Sequence, residues 1–265
     1  MAMSGIPPLT VRKRVTKEIV GNYTVITRPC IGSGTYGRVY EAKHNVTHKK
    51  VAVKEVSIAD SYTENKFRSD MIQRELHILR QLKSHKNIIR IIDHVFEEDS
   101  CWIFMEFCNL GNLSAYLENN KTIDLVKKVR IISQSSSALA FMHRQTPAII
   151  HRDLKLQNIL MTFQNGEHVV KLTDFGLSNM FHDKNASLPG LFNQTRAIYM
   201  TPVFGSDFFM APELFAKHDG KLQYDLSIDV FALGLVHMVI LDYTEQYPVN
   251  YPVPRQYCIF HLLNI

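Results

Sequence analysis

The chain has 265 residues, which suits one large domain or two lobes, and its 46% apolar and 21% charged residues are typical of a globular protein. The net charge of +5 results from 30 basic and 25 acidic residues mixed along the chain, so charge alone does not indicate a nucleic-acid partner. The most apolar stretch, Val230 to Leu241, is too short to span a bilayer and contains a histidine, so no membrane span is predicted.

The N-terminal residues and the cysteines favour an intracellular protein. The first residues lack the apolar run of a signal peptide, and residues 1–22 are basic and polar, which predicts a flexible arm. The cysteines form no CxxC pair, so we expect no disulfides and a reducing compartment, first the cytoplasm, with the nucleus also compatible. They are Cys30, Cys101, Cys108 and Cys258.

Residues 23–107 are predicted to form a β-rich lobe with one main helix. The helix covers residues 66–85, where Ile72, Leu76 and Leu79 recur at helical spacing. The predicted strands share β-branched and aromatic residues bounded by turn-like breaks. They cover residues 24–32, 37–44, 49–58, 88–98 and 100–107.

The pattern changes near Gly111, where helical spacing begins to dominate. Helices are predicted over 112–120, 125–145 and 227–241. Residues 108–265 therefore read as a junction followed by a mostly helical lobe, and the fold class is α+β.

A glycine-rich stretch, IGSGTYGRVY, begins at Ile31 and places Gly32, Gly34 and Gly37 in the spacing GxGxxG. The same spacing opens dinucleotide-binding turns, but those lead into a helix, whereas a strand-like run follows here. Glycines allow backbone N–H groups to approach phosphate oxygens closely. A phosphate-binding loop and a simple flexible hairpin both fit this motif alone.

A lysine follows this loop on the next predicted strand, in the sequence VAVK. Because strand side chains alternate between faces, Lys54 shares a face with the small Ala52, which leaves room for a flat ring. Glu75 lies among apolar residues of the predicted helix, and a lysine and a glutamate so placed could pair and direct the ammonium towards phosphates.

The densest polar stretch is HRDLKLQNIL, from His151 to Leu160. Its basic residues, carboxylate and amide fit a solvated loop, a metal site or a reaction centre. Taken together with the other motifs, it resembles the eukaryotic protein kinases of the serine/threonine type. The motifs occur in that family's order and spacing, and they are GSGTYG followed by Val39, VAVK, Glu75, HRDLKLQN, DFG at Asp174–Gly176 and APE at Ala211–Glu213.

The resemblance implies a two-lobed kinase fold and assigns catalytic and metal-binding roles. Asp153 would accept or orient the proton of the substrate hydroxyl, and Lys155 would neutralise charge on the transferred phosphoryl group. Asn158 and Asp174 would hold Mg²⁺, which prefers hard oxygen ligands. The implied substrates are proteins that carry serine or threonine.

The resemblance also implies ATP as the phosphate donor. Lys54 would contact the α- and β-phosphates and pair with Glu75, so both join the catalytic set. Met105 would precede the hinge, whose Glu106 and Cys108 would offer backbone groups to adenine. The predicted ATP-binding residues are Ile31, Gly32, Ser33, Gly34, Thr35, Tyr36, Gly37, Val39, Ala52, Lys54, Met105, Glu106, Cys108, Asn112 and Leu160.

An internal stack that aligns the two lobes is implied as well, anchored by Asp229. Its members are Leu79, Ile91, His151 and Phe175. The resemblance also implies Ser/Thr specificity. Kinases of this type carry a lysine two residues after the catalytic aspartate, as Lys155 follows Asp153, and a Ser or Thr seven residues before the APE glutamate, where Ser206 lies.

Regulation is predicted from the arginine before Asp153. In kinases with this arginine, it often binds a phosphate on the activation segment. Arg152 would do so here, with Thr195 or Thr201 as phosphorylation sites and Ser206 as a further regulatory hydroxyl.

The end of the chain departs from the family pattern. Only residues 242–265 follow the last predicted helix, and they are rich in proline and aromatics, so the helical lobe reads as incomplete and Glu213 as lacking its usual arginine partner. Two hypotheses therefore stay open, an active kinase and a nucleotide-binding pseudokinase or scaffold. The intact Lys54, Asp153, Asn158 and Asp174 favour the active kinase.

Overall fold

The computed structural model describes residues 16–34, 37–58, 62–181, 209–214 and 224–242. The strands are β1 Thr16–Val20, β2 Tyr23–Arg28, β3 Gly32–Gly34, β4 Gly37–His44, β5 Lys50–Ser57, β6 Ile91–Phe96, β7 Ser100–Glu106, β8 Ala148–Ile150, β9 Ile159–Gln164, β10 Glu167–Leu172 and β11 Asn179–Phe181. The helices are α1 Tyr62–Leu82, α2 Leu113–Asn119, α3 Leu125–His143 and α4 Ser227–Asp242. These elements confirm the α+β class.

Seven of these strands form one sheet in the order β1-β2-β4-β5-β7-β6, with β3 paired to β4. One face of the sheet buries a cluster of aliphatic and aromatic side chains because residues of this type alternate along each strand. Tyr23 and Phe104 stack within it, with ring centroids 3.9 Å apart. The cluster comprises Val20, Tyr23, Val25, Tyr40, Ala42, Val51, Val53, Trp102 and Phe104.

The first strand falls within residues 1–22, which the sequence predicted as a flexible arm. Thr16–Val20 instead pairs antiparallel with β2, and Val20 is fully buried in the cluster under the sheet. Only the last residue of this short strand is buried, so its sequence shows no alternation that would have identified it. Residues 1–15 lie outside the described residues.

The chain forms two compact units. The first comprises Met1–Asn65 and Ile92–Phe107, and the second comprises Lys66–Ile91 and Cys108–Ile265. The change after Phe107 falls where the predicted junction begins. Most of α1 belongs to the second unit, although the sequence assigned this helix to the first lobe.

Two helices of the second unit, α3 and α4, bury their facing sides against each other. Ser135 of α3 lies 3.0 Å from Nε2 of His237, and Lys128 donates to the carbonyl of Leu241 at 2.9 Å. Burial lowers the pKa of His237, because an apolar environment disfavours the charged imidazole. No helix in the described part of the chain is both long and apolar enough to cross a membrane.

Candidate active site

In the first unit, strand pairing brings predicted ATP-binding residues onto one face of the sheet. Val39 lies directly opposite Gly32 on one side and Lys54 on the other. Ala52 lies opposite Met105 and shares the face of Lys54, as the alternation predicted. The side of the sheet away from the aromatic cluster therefore carries the lysine, a small residue and a branched apolar residue together.

The glycine-rich stretch forms the β3–β4 hairpin predicted from the sequence. Ile31 N–H donates to the carbonyl of Val39 at 2.8 Å, which closes the base of the hairpin. Ile31 is half exposed. Thr35 and Tyr36 lie outside the described residues, so their predicted role stays a prediction.

In the second unit, the loop between β8 and β9 brings Asp153, Lys155 and Asn158 together. Lys155 Nζ lies 3.0 Å and 2.8 Å from the two carboxylate oxygens of Asp153. Asn158 Nδ2 donates to the backbone carbonyl of Asp153 at 2.7 Å and to its Oδ2 at 2.8 Å. These bonds hold the carboxylate in one orientation beside a cation.

Buried Asp229, in the first turn of α4, anchors the start of this loop. Its Oδ2 accepts from His151 N–H at 2.7 Å, and its Oδ1 accepts from Arg152 N–H at 2.8 Å. The Nε2 of His143 in α3 lies 3.0 Å from the same Oδ2. A carboxylate is favourable near a helix N-terminus, and this one also satisfies buried backbone donors that precede Asp153.

The imidazole of His151 links the loop to the residue before Asp174. Its Nε2 lies 3.0 Å from the carbonyl of Thr173, and its Nδ1 lies 3.3 Å from Asp153 N–H. Because the carbonyl only accepts and the N–H only donates, the fitting tautomer carries its proton on Nε2. The ring of Phe175 is buried, with its centroid 5.1 Å from that of His151, so these two members of the predicted stack are in contact.

Asn158 and Asp174 lie at the same end of the β9–β10 hairpin. Leu172 pairs with Ile159, and Thr173 N–H donates to the carbonyl of Asn158 at 3.0 Å. Asp174 has the left-handed backbone angles φ 65° and ψ 71°, a strained conformation that costs about 1–3 kcal/mol in a non-glycine residue and is typical of functional sites.

These two residues fit the predicted Mg²⁺ role. The amide nitrogen of Asn158 is directed to Asp153, which leaves Oδ1 as the side-chain atom for a cation, and Asp174 supplies a carboxylate. The described residues contain no group of three or more His, Cys, Asp or Glu that could hold a metal. Two protein oxygens completed by phosphate oxygens and water suit Mg²⁺, which retains much of its hydration.

Arg152 is buried, yet its Nε and Nη1 have no hydrogen-bond partner among the described residues. Its guanidinium carbon lies 5.4 Å from the ring centroid of Tyr224. Burial lowers the pKa of Arg74 in α1, and the nearby positive charge of Arg152 lowers it further. The sequence did not single out Arg74, because Arg74 and Arg152 are far apart in the chain.

Other predicted ATP contacts lie at the end of β7 and in the residues that follow it. Asn112 caps α2, since its Oδ1 accepts from Ala115 N–H at 2.9 Å. Asn112 also bridges to Leu160 at the start of β9. Glu106 ends β7, and Cys108 follows in the next unit.

Several further assignments have mixed outcomes. Lys54 and Glu75 are both buried, and their pairing stays a prediction.

Glu213 accepts a hydrogen bond from Ser227 at 3.2 Å, so its carboxylate has a partner other than the arginine the family pattern would supply. Cys30, Cys101 and Cys108 form no disulfide within the described part of the chain. Three predicted regulatory residues lie outside the described residues, and they are Thr195, Thr201 and Ser206.

Comparison with known proteins places these features in context. The family model described as "Protein kinase domain" matches residues 26–254. Human "Hormonally up-regulated neu tumor-associated kinase" is 32% identical over 94% of the chain, and human "Serine/threonine-protein kinase TAO3" is 32% identical over 88% of it. Dictyostelium discoideum "Serine/threonine-protein kinase 4 homolog B" is 29% identical over 84% of the chain. The matches cover 32%, 23% and 18% of these relatives, so the chain spans a third of their length or less.

Proposed function

Because this chain belongs to the protein kinase domain family, we propose that it transfers the γ-phosphate of Mg-ATP to serine and threonine hydroxyls of protein substrates. The observation that carries the proposal is the cluster of Asp153, Lys155 and Asn158, with Asp174 at the adjoining end of the β9–β10 hairpin. Phosphoryl transfer requires positioning and charge neutralisation, and this cluster offers a base, a cation and two metal ligands.

In the proposed reaction, the substrate oxygen attacks the γ-phosphorus while the bond to the oxygen shared with the β-phosphate breaks. Asp153 orients the hydroxyl and takes its proton, and ADP leaves with the bonding electron pair. Lys155 contacts Asp153 in the structure, and its ammonium would also neutralise charge on the transferred phosphoryl group. Bound Mg²⁺ would neutralise phosphate charge, with Asn158 and Asp174 as its protein ligands.

The proposed ATP contacts are those that the family resemblance assigns. On the sheet of the first unit, Lys54 would meet phosphate oxygens while Val39 and Ala52 would lie against adenine, which the shared face of these residues supports. The remaining predicted contacts are Ile31, Gly32, Ser33, Gly34, Thr35, Tyr36, Gly37, Met105, Glu106, Cys108, Asn112 and Leu160.

The direct test compares the wild-type chain with Asp153→Asn. Asparagine keeps the size and can still accept from Lys155, but it cannot take the hydroxyl proton. We expect phosphate transfer from Mg-ATP to a basic protein rich in serine and threonine to fall by roughly 10²–10⁴-fold, while nucleotide affinity is retained. Asp99→Asn, which changes an exposed carboxylate in the turn before β7, is the matched control and should retain activity.

The same experiment separates an active kinase from the pseudokinase alternative. Mg-ATP binding without turnover in the wild-type chain would establish a nucleotide-binding scaffold. Equal turnover by wild type and Asp153→Asn would contradict the role of Asp153. Phosphate found only on tyrosine would overturn the proposed Ser/Thr specificity.

Regulation is proposed at Arg152, as the resemblance predicted. The buried guanidinium has two atoms without a partner in the described part of the chain, and with Arg74 nearby it provides positive charge that a phosphate would satisfy. The proposed phosphate is carried by Thr195 or Thr201, with Ser206 as a further regulatory hydroxyl.

We expect phosphatase treatment of active enzyme to lower its activity by roughly fivefold or more, and Arg152→Ala to lower untreated activity to a similar level without further loss on treatment. A phosphate satisfies the buried guanidinium, so removing either partner should have the same effect. Kinase assays and phosphate mapping measure this, with exposed Arg144→Ala as the control. Full activity in Arg152→Ala, or in the double Thr195→Ala and Thr201→Ala variant, would contradict the proposal.

A further inference from the structure

The segment after β7 runs beside β9 like an additional short strand. Leu110 N–H donates to the carbonyl of Met161 at 3.1 Å, and Met161 N–H donates to the carbonyl of Gly111 at 2.8 Å. Asn112 forms a bridge to Leu160 in the antiparallel sense. β9 is therefore paired with β10 on one edge and with this segment on the other.

The side chain of Asn109 extends this pairing beyond the backbone. Its Oδ1 accepts from Phe163 N–H at 2.8 Å, and its Nδ2 donates to the carbonyl of Phe163 at 3.3 Å. The primary amide therefore pairs with Phe163 as a peptide group of a neighbouring strand would. Oδ1 also accepts from the hydroxyl of buried Thr162 at 3.1 Å.

These contacts join the two parts of the second unit that the proposed function assigns to adenine. Cys108 precedes Asn109 directly, and Leu160 lies on the strand that Asn109 holds. We propose that Asn109 is a positioning residue for nucleotide binding, which fixes the backbone at Cys108 relative to Leu160. This inference rests on the proposed function, because it concerns the affinity of the ATP site.

Asn109 lies apart from the residues that carry out the chemical step, so its loss should affect nucleotide affinity and not that step. Asp153 and Asn158 are held by bonds to Lys155, His151 and each other, none of which involves Asn109. Loss of the amide should therefore raise the KM for ATP while leaving kcat within about twofold, since the lost interaction stabilises the ground state and the transition state equally.

The test uses the whole chain with Asn109→Ala and Asn109→Asp. Alanine removes all three bonds, so we expect the Kd for ADP by calorimetry and the KM for ATP each to rise about 3- to 10-fold, and amide exchange at Phe163 to accelerate. Aspartate keeps both acceptor bonds and should recover part of the affinity. Asn45→Ala, which removes a bond from Thr24 in the first unit, is the matched control and should leave all three values unchanged.

The outcomes distinguish this inference from the function on which it rests. Nucleotide binding by the wild-type chain with an unchanged Kd in Asn109→Ala would overturn the positioning role and leave the kinase proposal intact. Faster Phe163 exchange with unchanged Kd would show a purely structural role, which also overturns it. Absence of nucleotide binding in the wild-type chain would overturn both proposals.

Discussion

Asp229→Ala is expected to destabilise the protein by about 3–5 kcal/mol, because it removes a buried charge that is paired and hydrogen-bonded. The carboxylate is 1% exposed and accepts the backbone N–H groups of His151 and Arg152. Removing it leaves two buried donors without acceptors, each costing about 1–3 kcal/mol. The free energy of unfolding, measured with urea, tests the prediction.

A second substitution keeps the prediction measurable if the alanine variant does not fold. Asp229→Asn retains one oxygen but places an NH₂ group against a donor, because both carboxylate oxygens accept hydrogen bonds. We expect an intermediate loss of stability together with reduced phosphate transfer, since the loop that carries Asp153 starts at these donors.

The matched control is Asp225→Ala, just before the same helix. Asp225 is exposed, and its Oδ1 accepts from Ser227 N–H at 2.8 Å. Loss of a contact at a helix start costs about 0.5–2 kcal/mol. If Asp225→Ala were as destabilising as Asp229→Ala, the buried carboxylate would not be the anchor of the loop.

Much of the candidate site could be predicted because its residues are close in sequence. Asp153, Lys155 and Asn158 lie within one loop, and the structure brings their side chains together as the motif implies. The shared face of Ala52 and Lys54 follows from strand alternation alone. Such features depend on local geometry, which a single sequence contains.

Contacts between distant segments that lie outside the family motifs could not be predicted from the same sequence. His143 lies on a helix whose apolar spacing shows only that one face of the helix is buried. The partner of His143, Asp229, is 86 positions away. Asn109 reads as a polar loop residue, yet it pairs with Phe163 across 54 positions. Without an independent signal of proximity, a lone histidine or asparagine gives no reason to prefer one partner over another.

The prediction with the largest effect in the first unit concerns Gly37. A Cβ at this position would lie 1.9 Å from the carbonyl oxygen of Glu55, a distance that no real Cβ tolerates, and Gly37 has φ +149°, which side chains rarely adopt. The neighbouring pair Arg38 and Glu55 is directly opposed, so relief of the clash must separate β4 from β5. We expect Gly37→Ala to lower the free energy of unfolding by at least about 2–3 kcal/mol, as for overpacked sites.

The same hairpin provides the control, Gly32→Ala. The nearest atom to a Cβ there is Cβ of Val39 at 3.6 Å, which is ordinary contact. Alanine should therefore change stability by less than about 1 kcal/mol, since the freedom lost by the unfolded chain opposes any cost of the contact. Since Val39 lies opposite Lys54, separation of β4 from β5 should also displace the lysine, so Gly37→Ala should weaken ADP binding far more than Gly32→Ala. The two substitutions could instead have equal effects on the free energy of unfolding and on ADP affinity. That result would show that the hairpin needs its glycines for flexibility, and that close approach to Glu55 is not the reason for Gly37.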